Sequence, residues 1–449
     1  MIVGHTTTVE RIAHYCGGRI SAGNPSAVIE TITTDSRELG SRNLFIPLVG
    51  EKFDGHNFIR SLSEGGSVMS YLTMRDGYTD IAARCDIAEI RCDDTLRALG
   101  AIAAHHRDAL DPEVLGITGT NGKTTTKELA FAVLSSKKKC HRNQKNYNNE
   151  IGVPMTLLEL RREHEMAVVE MGMNHAGELE RLSRIARPDL ALITSVGEGH
   201  LEFLGSVENV ARAKSEIMLG MDRGSLLLAN KDMNCLDIVT AAARELGIRV
   251  KTYGLSDGAD IRPESYGLSR DSVTVRYGGE DIRVPLYGIH NAYNITAAIA
   301  VGAEYGIAPG EMKDSLAGFE NVSGRGQVID RGYIVIDDTY NANPLSMLYA
   351  LRSTAEIFQS RRKIAVLSDM NELGTWAESC HVRCGRAVRE YGFDILLACG
   401  GMAKFYAEGA AGAGLHEENI RRFDTKKELA AHLASILDGN DVVLVKGSR

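Results

Sequence analysis

The sequence predicts an α/β protein of three units: a small N-terminal α/β unit, a central parallel sheet of the P-loop ATPase type, and a C-terminal Rossmann-like α/β unit. Three observations carry this. The 449 residues exceed one ordinary domain and suit about three. Between Val114 and Leu246 apolar strand-like runs alternate with helix-like periods, the pattern of a mostly parallel sheet covered on both faces. After a polar, glycine-rich turn at Ser323-Gly324 the alternation begins again. The units are placed at 1–93, 94–322 and 323–449.

In the first unit, Asn43 to Val49 and Gly66 to Leu72 read as short strands. A helix follows, capped by Asp93 or Asp94, with Leu96, Leu99, Ile102 and Ala103 at helical spacing. In the central unit, Val114–Thr118, Met166–Glu170, Leu190–Ser195 and Leu226–Ala229 read as strands. Lys123–Ser135, Glu178–Ile185, Val207–Met218 and Ile238–Leu246 read as the helices between them. Ser272–Tyr277 and Asp281–Tyr287, joined at Gly278-Gly279, read as an appended hairpin, and Asn291–Tyr305 as a helix. In the last unit the strands are Tyr333–Asp337, Lys363–Ser368, Ile395–Cys399 and Val442–Val445. Its helices are Leu345–Phe358, Trp376–Tyr391 and Lys426–Leu437.

Composition narrows the function. Hydrophobic residues at 44% and charged residues at 24% are those of a folded globular chain. A net charge of −8 leaves no global basic footprint, so no nucleic-acid partner is expected. No apolar run is long enough for a membrane span and no signal peptide is read, so a cytoplasmic location is expected. The eight cysteines are scattered and read as reduced thiols. Cys380-His381-x-x-Cys384 resembles a metal fragment, but Trp376, Cys380, Cys384, Val388 and Tyr391 fall at helical spacing and read as an apolar stripe.

The most informative segment is Gly119-Thr120-Asn121-Gly122-Lys123-Thr124-Thr125, between a predicted strand and a predicted helix. Glycines let backbone amides turn onto phosphate oxygens, and the helix N-terminus adds a favourable dipole. Lys123 can reach the β- and γ-phosphates of ATP, and the Thr124 hydroxyl can ligate Mg²⁺. The spacing is a shortened G-x-x-G-K-T. Glu170 ends a strand, where ligands of open α/β sheets collect, and its carboxylate is a candidate Mg²⁺ ligand or an ordinary strand-ending acid. His200, in a glycine-rich loop at the same sheet edge, is a candidate ligand or proton carrier. Lys214 occupies the apolar stripe of its helix. Such a lysine either snorkels to water or, desolvated, holds a neutral amine able to form a carbamate with CO₂.

These residues, in this order, resemble the Mur ligases, the ATP-dependent amide-forming ligases of bacterial peptidoglycan synthesis. The short phosphate loop is the form that this family carries. Glu170-Met171-Gly172 resembles its metal-binding acid motif, and His200-Leu201-Glu202 and Ala213-Lys214-Ser215-Glu216 resemble its histidine and carbamylated-lysine motifs. Asn291 and Asn294 match its asparagine motif near the nucleotide, Arg325 its phosphate-contacting arginine, and Asp338 and Tyr340 its ribose- and adenine-side contacts. Asn146 to Pro154, Asn174 to Glu178 and Asp338 to Pro344 resemble the branch that adds D-alanyl-D-alanine.

The resemblance implies ATP and two Mg²⁺ sites, with Thr124, Glu170, His200 and carbamylated Lys214 as metal residues. It implies catalytic roles for Lys123, Lys214, His200 and Arg325. It implies UDP-N-acetylmuramoyl-tripeptide and D-alanyl-D-alanine as substrates and a first unit that binds the UDP-muramoyl end. Asp35, Ser36, Arg37, Lys52, Asn148, Asn149, Asn174 and His175 are the substrate-side residues, and a monomer is expected. Two other readings share the phosphate loop: a sibling Mur or folylpolyglutamate-type ligase that adds one amino acid, and a non-catalytic nucleotide-binding protein. The joint presence of Lys123, Glu170, His200 and Lys214 speaks against the second, because a pure binder has no need of a two-metal set.

Overall fold

The computed structural model describes residues 2–144, 146–320 and 324–448. The 322/323 unit boundary lies outside the described residues. Among the described residues three six-stranded sheets follow one another, with a small three-stranded sheet between the second and third.

The N-terminal sheet runs in the order Ile2–Thr8, Val28–Thr33, Asn43–Phe45, Ser70–Thr73, Ala88–Arg91, Arg19–Ala22. Its four inner strands are parallel and its two edge strands antiparallel. Both strands expected here are shorter than the apolar pattern. The strand from Asn43 stops at Phe45, just before Pro47, which has no amide to give a ladder. The strand expected from Gly66 starts at Ser70, because Gly66 turns the chain with φ +65°. The helix Thr95–Leu110 then begins as expected, with Asp94 capping the amides of Leu96 and Arg97.

The central sheet is wholly parallel: Arg249–Tyr253, Leu226–Asn230, Leu190–Ile193, Glu113–Thr118, Met166–Glu170, Cys140–Arg142. Its four inner strands are largely apolar on both faces because both are covered. Alternate residues enter different cores. Ala167 and Val169 pack on the side of the helices Thr95–Leu110 and Glu178–Ala186. Met166 and Val168 pack with the helices Lys123–Leu134 and Ile289–Glu304. The expected hairpin is the outer part of an antiparallel sheet, Ser265–Leu268, Val273–Tyr277, Glu280–Val284.

The C-terminal sheet runs Gln327–Asp330, Ile334–Asp338, Asp441–Lys446, Arg362–Ser368, Ile395–Cys399, Ile420–Phe423, antiparallel only at its first pair. Cys380, Cys384 and Val388 lie buried on the helix Ala377–Glu390, as the stripe reading expects, whereas Trp376 of the same stripe lies in the preceding turn and is exposed. The helix expected over Val207–Met218 is α-helical to Ser215 and tightens to a 3₁₀ turn over Glu216–Gly220.

Candidate active site

The strand Glu113–Thr118 sits between Leu190–Ile193 and Met166–Glu170, so the chain reverses its lateral direction around it. Crevices at the carboxyl ends of such strands are where open α/β sheets bind ligands. The phosphate loop leaves this strand. Gly119 has φ +147° and Gly122 φ +84°. A Cβ at Gly119 would meet Thr194 Oγ1 at 2.0 Å, and one at Gly122 would meet Asn294 Oδ1 at 2.4 Å. The loop is thus wedged between the Thr194 turn and the Asn294 helix, and only glycine suits either position. Ser195 Oγ accepts the Asn121 amide at 2.8 Å, and Thr120 Oγ1 accepts the Gly197 amide at 3.1 Å. Lys123 Nζ donates to the loop carbonyls of Gly119 and Thr120 at 2.8 and 3.3 Å. Burial lowers its pKa, against an opposing pull from Glu170.

Glu170 is 1% exposed. Its Oε1 accepts from Thr124 Oγ1 at 3.2 Å and from Asn148 Nδ2 at 2.7 Å. Its Oε2 has no hydrogen-bond partner and lies 4.0 Å from the buried Lys127 ammonium. Asn143 clamps the strand end, giving Nδ2 to Glu170 O at 2.8 Å and taking the Glu170 amide at 2.9 Å. An orphaned carboxylate oxygen beside a threonine hydroxyl is a hard-oxygen pair that fits Mg²⁺. No cluster of three or more His, Cys, Asp or Glu side chains forms a metal site among the described residues.

His200 lines the same cavity, and its Nδ1 lies 2.7 Å from Glu372 Oε2 of the C-terminal domain. Burial lowers the His200 pKa and keeps the ring neutral. Lys214 does not line the cavity. It is fully buried in the helix Val207–Ser215, its Nζ has no hydrogen-bond partner, and burial with the nearby Lys123 charge drives its pKa well down. Of the two readings of this lysine, snorkelling is therefore excluded.

The C-terminal domain closes the cavity, which measures about 520 Å³. Arg325 Nη2 donates to Thr124 Oγ1 at 3.2 Å, and its guanidinium lies 4.2 Å over the Tyr340 ring. Asp338 is ion-paired with the buried Lys446 at 2.6 Å. Asn294 Nδ2 donates to Asn291 Oδ1 at 2.8 Å, and Thr126 Oγ1 donates to Asn294 Oδ1 at 3.2 Å. Asn291 is anchored in turn to Tyr287 O at 2.8 Å.

Comparison with known proteins bears on this arrangement. Residues 28–107 match the Mur ligase family catalytic domain, 117–302 the Mur ligase middle domain, and 324–449 the Mur ligase glutamate ligase domain. The chain is 36% identical to UDP-N-acetylmuramoyl-tripeptide–D-alanyl-D-alanine ligase of Bacillus subtilis (strain 168), over 98% of this chain and 95% of that protein. The chain belongs to the Mur ligase family. Its structure matches that of MurF from Acinetobacter baumannii with a TM-score of 0.89 and 30% identity, over 100% of this chain and 97% of that one. It shares its fold with MurF ligase from Thermotoga maritima in complex with ADP, with a TM-score of 0.79 and 24% identity over 93% and 94% of the two chains. As a Mur ligase it is an ATP-dependent amide-bond-forming enzyme with three α/β units.

The cavity of this Mur ligase gathers most residues named from its sequence. Thr120, Asn121, Gly122, Lys123, Thr124, Thr125, Asn148, Glu170, Asn174, His200, Asn291, Asn294, Arg325, Asp338 and Tyr340 all line it. The remaining substrate-side residues lie elsewhere. Asn149 Oδ1 accepts the Gly152 amide at 2.8 Å and so starts the helix Gly152–Leu158. His175 is exposed, 3.0 Å from Glu178, with its ring tilted against Phe203. Asp35 and Arg37 pair at 2.6 Å on the N-terminal domain, which holds the Asp35 carboxyl down at about 2, with Ser36 between them. Lys52 is exposed on the same domain. Ser195, Asn230, Glu372 and Lys446 also line the cavity, and the sequence alone does not single them out. Nor does it name Lys127, although a signal exists: the residue shares a helix face with Ala130 and Leu134, the same misplaced-lysine pattern as Lys214.

Proposed function

We propose that this chain joins D-alanyl-D-alanine to UDP-N-acetylmuramoyl-tripeptide in a cytoplasmic step of peptidoglycan synthesis, with ATP cleaved to ADP and phosphate. The observation that carries it is at Thr124. One hydroxyl, next to the phosphate-loop lysine, is bonded by Glu170 of the central sheet and by Arg325 of the C-terminal domain. The site is complete only where the two domains meet, which suits a reaction that brings three substrates together.

ATP phosphates sit on the Gly119–Thr125 loop. A carboxylate oxygen of the tripeptide attacks the γ-phosphorus, the bond to the β–γ bridging oxygen breaks, and ADP leaves an acyl phosphate. Lys123 and Arg325 meet the charge that builds on the phosphoryl oxygens. The amine of D-alanyl-D-alanine then adds to the acyl carbon, phosphate departs and the amine proton is lost. Asn148 and Asn174 line the acceptor side of the cavity. Thr124 and Glu170 would hold one Mg²⁺, and His200 with a carbamylated Lys214 would hold a second; such ions would supply further charge neutralisation on the phosphates. The orphaned, desolvated Lys214 amine supports the carbamate, because only a neutral amine adds CO₂. Asp35, Ser36, Arg37 and Lys52 mark the N-terminal face for the UDP-muramoyl end, with Asn149 and His175 at the rim.

No described helix is long and apolar enough to cross a membrane. The enzyme is taken to act as a monomer, since both domains that form the cavity come from one chain. The test is phosphate release from Mg-ATP with UDP-N-acetylmuramoyl-tripeptide. Release that needs D-alanyl-D-alanine, with a pentapeptide product by mass, is expected. Release with a single amino acid instead would move the chain to a sibling ligase.

A further inference from the structure

The helix that leaves the phosphate loop carries a second lysine. Lys127 lies one turn after Lys123 on the helix Lys123–Leu134, and it is fully buried. It does not line the ATP cavity, so whatever it does there is done through other residues. The next positions on its helix face, Ala130 and Leu134, belong to the apolar core. An apolar side chain at 127 would serve packing at least as well, because a buried ion pair is seldom more stabilising than the hydrophobic residues that could replace it. Packing therefore does not account for the lysine.

Its contacts do. Lys127 Nζ donates to Asn143 O at 2.8 Å and pairs with Glu128 at 2.9 Å. Glu128 pairs in turn with Arg142 at 2.7 Å. The lysine thus grips the chain where it leaves the strand Cys140–Arg142. Its distance to Glu170 Oε2, 4.0 Å, is too long for a hydrogen bond, so Asn143 is the firmer tie. Asn143 passes the anchor on. Besides clamping Glu170, its Nδ2 donates to Tyr147 O at 2.9 Å. Asn146 and Asn148, on either side of Tyr147, both line the cavity. Asn148 O accepts the Gly172 amide at 2.7 Å. Tyr147 itself is 52% exposed, so this short stretch buries little apolar surface and depends on polar anchors for its place.

We infer that Lys127 is a positioning residue for the acceptor substrate. Acting through Asn143, it fixes Asn146 and Asn148 relative to the helix that bears Lys123 and Thr124. The acceptor carboxylate is then held in line with the phosphate loop, and such alignment is a large part of what an enzyme gives a reaction between two bound substrates. The inference rests on the reading that the Asn148 side of the cavity takes the tripeptide.

The experiment uses the full-length enzyme as wild type, Lys127→Met, Asn143→Ala and the double variant. Methionine fills the buried space but lacks the donor and the charge. Kinetics are measured against ATP, Mg²⁺ and UDP-N-acetylmuramoyl-tripeptide. Hydrogen exchange by mass spectrometry follows peptides that contain the Tyr147 and Gly172 amides. In Lys127→Met the KM for the tripeptide is expected to rise about tenfold, the size of one lost hydrogen bond from a charged donor. The KM for ATP is expected to stay at its wild-type value. Exchange at Tyr147 and Gly172 is expected to quicken about tenfold. Asn143→Ala is expected to cost more, and the double variant no more than Asn143→Ala alone, since both cut one chain of contacts. Single effects that multiply in the double variant overturn the route through Asn143. A loss confined to kcat and the Mg²⁺ requirement assigns Lys127 to Glu170 and overturns the inference. A lower melting temperature with the tripeptide KM unchanged reduces the lysine to a structural role and overturns it too. If wild type shows no turnover with the tripeptide, the substrate reading fails, and hydrogen exchange alone decides: quicker exchange in Lys127→Met upholds the positioning of Asn146 and Asn148, and unchanged exchange ends it.

Discussion

The side-chain amides of Asn121 and Asn343 pair head to tail across 222 residues of sequence. Asn121 Nδ2 donates to Asn343 Oδ1 at 3.0 Å, and Asn343 Nδ2 donates to Asn121 Oδ1 at 2.8 Å. Asn121 belongs to the phosphate loop. Asn343 caps the first helix of the C-terminal domain by accepting the Ser346 amide at 2.9 Å. One amide pair therefore ties the shape of the loop to the position of the domain. Asn343→Asp keeps the cap but removes the donor to Asn121. The apparent KM for ATP is expected to rise about three- to tenfold, as the loss of one such bond implies, with the melting temperature almost unchanged. Steady-state kinetics against ATP checks this.

Gly122→Ala places a methyl group at φ +84°, 2.4 Å from Asn294 Oδ1. The loop has to shift or Asn294 has to leave Asn291. Stability is expected to fall by about 1–3 kcal/mol, and nucleotide binding by more than tenfold. Calorimetric titration with Mg-ADP and thermal melting separate the two effects.

Arg325→Lys retains the charge but loses both the donor to Thr124 and the planar stack on Tyr340. A fall in kcat of about a hundredfold is expected, of the size seen when one oriented donor to a developing anion is removed. The KM for D-alanyl-D-alanine should change far less. Equal losses in both would contradict the role.

Lys214→Ala removes the proposed carbamate. Activity is expected to fall below detection and to return in part with added formate or acetate. Because the variant also deletes a buried, unpartnered amine, its melting temperature should be no lower than that of wild type in CO₂-free buffer.

His381 sets a pH dependence of stability. It is fully buried, its Nδ1 lies 2.6 Å from Ala377 O, and its Nε2 accepts the Met370 amide at 3.0 Å. That pattern needs a neutral ring, and burial holds the pKa below its usual 6.5. Between the folded and unfolded pKa values the unfolded chain binds the extra proton. The contribution is therefore complete above about pH 6.5 and is lost as pH falls below it. Melting curves from pH 7.5 to 5 should show wild type losing more than His381→Gln.

How far the sequence could be read follows from where each signal resides. Met166–Glu170 and Ile395–Cys399 were legible to the residue because buried parallel strands are unbroken apolar runs with polar ends. Arg19–Ala22 and Cys140–Arg142 were not, since short edge strands with half-exposed residues carry no such run. The phosphate loop, Glu170 and Arg325 were legible because each is a local pattern. Ser195 and Lys446 act through partners far away in the chain, and no local spacing marks them. Asn149 Oδ1 accepts the Gly152 amide at the start of a helix, a local bond that its motif alone does not announce.

The strand Asp441–Lys446 lies between Ile334–Asp338 and Arg362–Ser368, yet it is the last of its sheet in sequence. During synthesis the two flanking strands leave the ribosome with an empty lane between them. The sheet cannot close, and Asp338 cannot meet Lys446, until that final strand arrives. Translation that stops short of it leaves open strand edges, which aggregate readily and invite proteolysis. Assembly of the ATP cavity is in this way a late event in the making of the protein, and premature termination yields no half-working ligase.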